Sequence, residues 1–325
     1  MLSRRFIRIK IFKVLFSSVH SQNFDLASAE NELIRSLEKT RQLYFLLLSL
    51  PGTLVRFAQE RIDIGLQKYH PSEEETNPNL RFVNNKAIEV LEKDKELTKS
   101  RTHGLNWTAH RGYIKQLYDS LKEEPYFLEY MDAAEEPGFQ EDLKFLLDFY
   151  GSELDDDPEL YNLLEDGSLH WTDDVAYVCN IILTQLSGLQ NEHDTIKHPP
   201  LFFNEDDKNF ATRLFAHSLE HYGEYVNYIE KFAQNWDLER IAATDTILIV
   251  MGVAEAVAFP QIPIKVTLNE MVEISKFYST GNSKMFVNGI LDRIIKFLTS
   301  EGKIEKRGRR SEEHTSELQS RQVIS

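Results

Sequence analysis

Apolar residues recur along most of the chain at spacings of three and four, which is the spacing that places them on one face of an α-helix. Stretches that contain Pro or Gly separate these segments. The alternation of apolar and polar residues that is typical of a strand is scarce. The pattern therefore predicts an all-α protein. The helical segments predicted before residue 236 are Asp25–Leu50, Thr53–Tyr69, Arg81–Ser100, Trp107–Lys122, Phe139–Tyr150, Trp171–Leu189 and Glu205–Asn235.

The first turns of the chain predict a further helix with two distinct faces. At about 100° per residue, one side forms the expected core stripe of Ile7, Ile11, Val14 and Leu15. A second side carries Arg5, Arg8, Phe12 and Phe16, with Arg4 at its edge, while Lys10 and Lys13 point elsewhere. Guanidinium groups beside aromatic rings suit single-stranded RNA, where they neutralise phosphates and stack on bases. A solvated basic face with two core phenylalanines fits the same pattern, so both interpretations stay open here.

The last third of the chain has a more apolar pattern. The segment 237–258 is apolar almost all round, which predicts a central, buried helix. Phe259–Pro263 ends it, a second helix runs through Glu270 and Lys276, and Gly281-Asn282 turns the chain into a third helix, Ser283–Leu298.

The charge distribution limits where nucleic acid could bind. The chain of 325 residues has a formal net charge of −15, yet Leu2–Phe16 contains five basic residues and no acidic one. An acidic chain disfavours broad coating of nucleic acid but permits one focused basic site. Pro71–Asn79 has the composition of a loop, and Glu141–Glu159 carries eight acids against one lysine, which predicts a solvated face.

Targeting and redox signals point to the cytoplasm. Arg8, Lys10 and Lys13 interrupt the apolar residues that a secretory signal would need. No stretch approaches the ~20 apolar residues of a membrane span, so we expect no membrane association. Cys179 is the single cysteine, which excludes an internal disulfide.

Catalytic patterns are not found in the sequence. It contains no Gly-rich phosphate loop, and Cys179 lies in an apolar run that predicts a buried thiol. His217 and His221 could share a helix face around zinc, but no third ligand is evident. We therefore expect no enzyme activity, no cofactor and no metal.

Three blocks near the C-terminus carry a resemblance to a known family. They are W-x-L-x-R-I at 236–241 with an acid at Asp245, P-x-K-V-x-L-N-E at 263–270, and S-x-x-F-V-N-G-x-L-D at 283–292. The last block is the most specific. The N-terminal R-R-x-x-R, seven residues before Leu15-Phe16, agrees with them. Together these segments resemble the NusB family of bacterial transcription antitermination factors.

The resemblance implies two packed helical bundles that bind boxA RNA together with NusE, a small-subunit ribosomal protein. That complex joins RNA polymerase and suppresses termination in ribosomal RNA operons. The RNA-binding positions that the resemblance implies are Arg4, Arg5 and Arg8 as phosphate contacts, Phe16 as the aromatic of the first helix, and Asp245, Asn282, Lys284, Phe286 and Asn288.

Length is the main departure from the family, since residues of about 50–200 enlarge a region that is short in ordinary members. The predicted organisation is an N-terminal subdomain of 1–235 with the acidic insert, and a C-terminal subdomain of 236–309. Residues 310–325 resemble a translated sequencing adapter and are predicted to be a non-native tail. We expect the acidic insert not to form the RNA surface, because its carboxylates would repel phosphate.

Two other functions stay open at this point. A NusB-like domain also occurs in ribosomal RNA cytosine methyltransferases, which need a cofactor-binding domain that has no counterpart in this sequence. A helical adaptor for other proteins, without RNA binding and with the acidic insert as its docking surface, is the second alternative.

Overall fold

The computed structural model describes residues 1–22, 24–102, 106–152, 154, 157–233 and 241–306. Within these ranges the chain forms helices and no strand, so the predicted all-α class is confirmed. Two short 3-10 helices, Thr108–His110 and Thr172–Asp174, join the α-helices. The α-helices are α1 Arg4–His20, α2 Leu26–Leu48, α3 Leu50–Leu66, α4 Glu73–Thr76, α5 Lys86–Glu92, α6 Lys95–Thr102, α7 Arg111–Leu121, α8 Pro125–Asp132, α9 Phe139–Ser152, α10 Pro158–Gly167, α11 Val175–Leu186, α12 Glu205–Glu220, α13 Tyr222–Phe232, α14 Ala243–Ala258, α15 Ile264–Tyr278 and α16 Ser283–Ser300.

Helix ends differ from the predicted ones where caps and proline intervene. The segment predicted as one helix over 81–100 begins only at α5, whose first turn the Asn85 side chain caps by accepting from the Ile88 amide at 2.9 Å. It is divided from α6 at Asp94, whose carboxylate accepts from the Leu97 amide at 2.7 Å. α3 begins before Pro51 instead of after it, since proline fits the first turn of a helix, where no amide donor is needed. The long helix predicted over 205–235 ends at His221 and restarts as α13.

The chain divides into two compact units. Unit 1 contains Met1 and residues 36–201, and unit 2 contains residues 2–35 and 202–325. The first division falls inside α2. The predicted boundary at 235/236 and the predicted tail of 310–325 lie outside the described residues, and the predicted subdomain bounds stay a prediction.

Unit 1 contains the region predicted as the insert, and its helices share an apolar core of their own. α9 packs against α5, α8 and α11, and the buried residues include Phe82, Phe145, Leu146 and Ile182. Polar anchors fix the unit as well: His198 bridges the Tyr44 hydroxyl at 3.0 Å and the Asp94 carboxylate at 2.8 Å. Unit 1 therefore has the buried apolar core of a folded domain.

Unit 2 is built around α14. This helix packs against α1, α12, α13, α15 and α16, and its residues from Ile247 to Ala256 are buried. The prediction of a central buried helix in this region is confirmed for the described residues 243–258. Across all described residues, no helix is both long and apolar enough to cross a membrane.

Candidate nucleic-acid interface

The core stripe predicted for α1 is confirmed, but the helix is enclosed on more sides than its sequence indicates. Ile7, Ile11, Val14 and Leu15 are all buried. Lys10, which the helical wheel placed away from the arginine-containing face, is 1% exposed, and its ammonium lies 5.4 Å from the Phe6 ring centroid. A helical wheel assigns faces without knowing how many neighbouring helices cover them, so it does not predict this burial.

Two arginines of α1 join it to the C-terminal helices through carboxylates. Arg8 makes a bidentate pair with Glu255 of α14, at 2.6 Å from Nε and 3.0 Å from Nη2, and its side chain is 4% exposed. Thr267 donates to the same carboxylate at 2.7 Å. Arg5 makes a second bidentate pair, with Glu270 of α15 at 2.9 and 2.8 Å, but its side chain is 54% exposed. The hydrogen bond from Arg5 lowers the pKa of Glu270.

Arg4 has a third carboxylate partner and an aromatic one. Its Nε donates to Asp207 of α12 at 2.8 Å, and its side chain is 40% exposed. The guanidinium groups of Arg4 and Arg8 lie 5.2 and 5.0 Å from the centroid of the buried Phe210 ring. Such cation–π contacts stabilise the arginines in place. Arg4 and Arg5 present charge to solvent, whereas Arg8 is committed to the interior.

An aromatic row connects α1 with the end of α15. Phe16 is half-buried, and its ring centroid lies 6.4 Å from that of Phe12, which in turn lies 5.4 Å from Tyr278. The Phe16 ring also stacks on His20 at 5.9 Å. Lys13, which the helical wheel placed away from the aromatic face, has its ammonium 5.5 Å from the Tyr278 ring. The row therefore brings α1 next to the turn that precedes α16.

The carboxylate of Asp245 fixes the turn between α15 and α16 from the buried side. Asp245 is buried at the start of α14, and its carboxylate accepts from the Ser279 hydroxyl at 2.6 Å and the Ser283 hydroxyl at 2.8 Å. Ser283 in turn accepts from the Thr280 amide at 3.1 Å. Buried carboxylates need such hydrogen-bond partners, and these fix the chain between α15 and α16. Asp245 therefore supports the surface and is not itself exposed on it.

The beginning of α16 separates the remaining predicted residues into two groups. Asn282, Lys284 and Asn288 are exposed. Phe286 is 5% exposed and packs in the interior of unit 2. Exposed apolar side chains flank this surface as well, since Phe277 and Met285 are largely open to solvent.

The structure thus places the solvent-accessible predicted residues on α1 and α16 of one unit, and α15 contacts both of these helices. Those residues are Arg4, Arg5, Phe16, Asn282, Lys284 and Asn288. Arg8, Asp245 and Phe286 are buried. Tyr278 and Lys13 were not predicted from the sequence; the aromatic at 278, one helical turn before Gly281-Asn282, was the available signal. RNA binding by these residues stays a prediction.

Cys179, His217 and His221, considered above for chemistry, do not form a metal site in the part of the chain that the structure describes. Cys179 is buried in α11, as predicted. The His217 and His221 rings lie 4.4 Å apart, His217 pairs with the Tyr225 hydroxyl at 3.3 Å, and burial lowers the pKa of His217. Among the described residues, no group of three His, Cys, Asp or Glu side chains is arranged to hold a metal ion.

Comparison with known proteins identifies the C-terminal part of the chain. A model described as the NusB family matches residues 183–296. The transcription antitermination protein NusB of Salinibacter ruber is 41% identical over 110 residues, which cover 34% of this chain and 69% of that protein. Its counterpart from Thermodesulfovibrio yellowstonii is 42% identical over 93 residues, 29% of this chain and 62% of the relative. The Chloroherpeton thalassium protein of the same name is 37% identical over 102 residues, 31% of this chain and 48% of the relative.

No solved structure matches the chain significantly. Helix α1 lies outside the range matched by the family model, and the matched segments span less than two thirds of two of these three relatives. The matched range does contain α14, α15 and most of α16, with the turn that Asp245 holds. On the strength of these sequence matches, the chain belongs to the NusB family.

Proposed function

We propose that this protein is a cytoplasmic, non-catalytic transcription antitermination factor that binds single-stranded boxA-type RNA together with NusE, within an antitermination complex of RNA polymerase. The names of the relatives support the antitermination role. The observation that carries the RNA-binding part is the contact of Phe12 with Tyr278, which joins the arginine-rich α1 to the turn before α16.

The accessible residues around this contact have the chemistry that single-stranded RNA requires. Arg4, Arg5 and Lys284 are cations that can neutralise phosphates. Phe16 is a half-buried ring three helical turns after Arg5 on the same helix, and exposed ring faces stack on splayed bases. Asn282 and Asn288 add exposed amides that can donate to and accept from base edges.

The buried residues of the same set support the surface instead of contacting RNA. Arg8 is held by Glu255, and a phosphate contact would require it to leave a bidentate, solvent-excluded pair. Asp245 fixes the turn that presents Asn282 and Lys284. In our proposal, substitutions at these positions weaken RNA binding only by disturbing the fold.

The experiment is a titration of labelled boxA RNA, with NusE present, at several salt concentrations. Loss of one phosphate contact in R5A or K284A should lower the salt slope by about 0.7. F16A should cost ~1–3 kcal/mol of stacking and leave the slope nearly unchanged. K296A is the matched control, because Lys296 is also an exposed lysine of α16 but lies twelve residues further along the helix.

Two results would contradict the proposal. If R5A, K284A and F16A all bound boxA RNA like the unmodified protein, the surface would not be the RNA site. If K296A lowered the slope as much as K284A, the binding would reflect general positive charge on α16 and not this interface.

A further inference from the structure

A cleft in unit 1 collects arginines in an otherwise acidic body. It has a volume of about 210 Å³ and is lined by residues of α3, by Arg101 and by residues between 106 and 114. The polar side chains that line it include Thr53, Arg56, Arg101, Asn106, Thr108 and Arg111. Residues 36–201 contain 31 acidic and 16 basic residues, so three guanidinium groups at one cleft are unusual for this unit.

Two carboxylates neutralise only part of the positive charge of these three arginines. Arg56 and Arg101 both donate to Glu92 of α5. Arg111 donates to Glu60 at 2.7 Å. Three guanidinium groups face two carboxylates, which leaves one positive charge in excess.

Gly52 of α3 allows the carboxylate of Glu92 to lie against the backbone of that helix, where it pairs with Arg56 and Arg101. A Cβ at position 52 would lie 1.6 Å from Oε1 of Glu92, so the carboxylate rests directly against the bare backbone of α3. Arg56 is tied further by its hydrogen bond to the Thr53 hydroxyl at 2.9 Å. Glu92 and Thr53 therefore hold guanidinium groups in place before any ligand arrives, which lowers the entropic cost of binding.

A buried donor in this cluster lacks an acceptor. Nε of Arg101 is solvent-excluded and has no hydrogen-bond partner among the described residues. Burial also lowers the pKa of Arg56, and the neighbouring charge of Arg101 acts in the same direction while Glu92 opposes both. A buried N–H without an acceptor is costly, so Arg101 is held at this cleft at a cost in stability.

The size and the walls of the cleft restrict the ligand. Its volume is below the ~300–1,000 Å³ of pockets for drug-sized molecules, so the ligand is compact. Trp107 and Phe57 are buried and offer no open ring face for a nucleobase. Arginine forks match the oxygens of phosphate, and Thr53, Thr108 and Asn106 add uncharged donors.

We propose that this cleft binds a phosphate group, carried by inorganic phosphate or by a small phosphate monoester. The proposal concerns unit 1 alone and is independent of the RNA-binding function, which rests on residues of unit 2.

The test is calorimetric titration of the full chain with inorganic phosphate at constant ionic strength, repeated with glycerol 3-phosphate to distinguish the two sources. We expect saturable binding that R101Q and R111Q each weaken by about tenfold or more. R61Q is the matched control, because Arg61 is an exposed arginine of α3 that pairs with Asp119 and does not line the cleft. It should bind phosphate like the unmodified chain.

R111Q keeps the proposal testable if R101Q fails to fold, since the Arg111 side chain is 66% exposed. Absence of saturable binding to both ligands in the unmodified chain would overturn the proposal. So would equal affinities in R111Q, R61Q and the unmodified chain, which would make the cluster a structural ion-pair network. Displacement of phosphate by boxA RNA would assign the cleft to RNA and also overturn it.

Discussion

At the residue scale, the main feature of unit 2 is a buried ion pair between α14 and α1, a helix whose sequence is basic. Arg8 and Glu255 are both nearly inaccessible to solvent and pair with each other, while Thr267 also donates to Glu255 and Glu270 lies 3.6 Å from Nη1 of Arg8. Removing one member of a buried pair leaves an uncompensated charge, which is far more costly than losing a pair at the surface. The pair therefore governs the stability of unit 2 more than any surface arginine of α1.

We expect R8A to lower the free energy of unfolding by about 3–5 kcal/mol. R35A, which removes an exposed arginine whose nearest carboxylate, Glu32, is 4.0 Å away, should lower it by less than ~1 kcal/mol. Urea unfolding of both variants measures the difference. The double variant R8M/E255M should recover much of the loss, because it removes both charges; equal losses in R8A and the double variant would contradict this account.

The pair between Arg5 and Glu270 predicts a pH dependence. The pKa of Glu270 in the folded protein is below its ordinary value of 4.5, chiefly because Arg5 donates to the carboxylate. The pair therefore stabilises the protein fully above pH ~4.5, and this stabilisation is lost as the pH falls through the lowered pKa.

We expect the difference in unfolding free energy between the unmodified protein and E270Q to shrink as the pH falls below 4.5. Thermal unfolding over a pH series measures it. E205Q is the control, because Glu205 is an exposed acid of α12 that forms a local pair with Lys208. A difference that is independent of pH between 5 and 3 would show that Arg5 and Glu270 are not paired in solution.

At the element scale, the packing of α14 depends on one small residue. A Cβ at Gly252 would lie 2.5 Å from Cδ2 of Leu291 and 3.2 Å from Cγ of Met271. Those residues belong to α16 and α15, so Gly252 allows both helices to approach the central one closely. Overpacking of such an interior is destabilising even when the added group is a single methyl.

We expect G252A to lower the free energy of unfolding by about 1–3 kcal/mol. G289A is the matched control on α16, because no atom lies within 4 Å of a Cβ placed there. It should stabilise the protein by up to ~1 kcal/mol, since alanine favours helix more than glycine does. Guanidinium unfolding compares the two, and a stabilising G252A would refute the close packing of α14.

At the scale of the whole molecule, the net charge is confined to one unit. Residues 36–201 contain 31 acidic and 16 basic residues, whereas the rest of the chain contains 21 of each. The formal net charge of −15 therefore belongs to unit 1. The unit that carries the proposed RNA surface is neutral overall, so it can hold a local basic patch without opposing a strong net charge of its own.

We expect neutralisation of four exposed acids of unit 1, in E73Q/E74Q/E135Q/E136Q, to change boxA affinity by less than about twofold at 0.15 M salt, where the Debye length is ~8 Å. The RNA titration described above measures this. R5A in the same assay shows the size of a genuine interface effect. A large change in affinity with the fold intact would place RNA against unit 1.

Sequence patterns alone were sufficient to predict the helical class, the core stripe of α1, the buried character of α14 and the family to which the chain belongs. Each of these depends on local periodicity or on a contiguous motif, such as the block from Ser283 to Asp292. Periodicity records which residues avoid water, and a motif records neighbours along the chain. Neither needs contacts between distant residues.

Which of the predicted site residues reach solvent depends on how the helices pack and could not be predicted from the sequence. Arg5 and Arg8 are one turn apart on α1 and look alike in sequence, yet one is exposed and the other is enclosed with Glu255. Asp245 and Phe286 match the family pattern equally well but lie inside unit 2. Burial depends on helices that pack from more than 200 residues away along the chain, and the cluster of Arg56, Arg101 and Arg111 likewise exists only because three separate segments fold together.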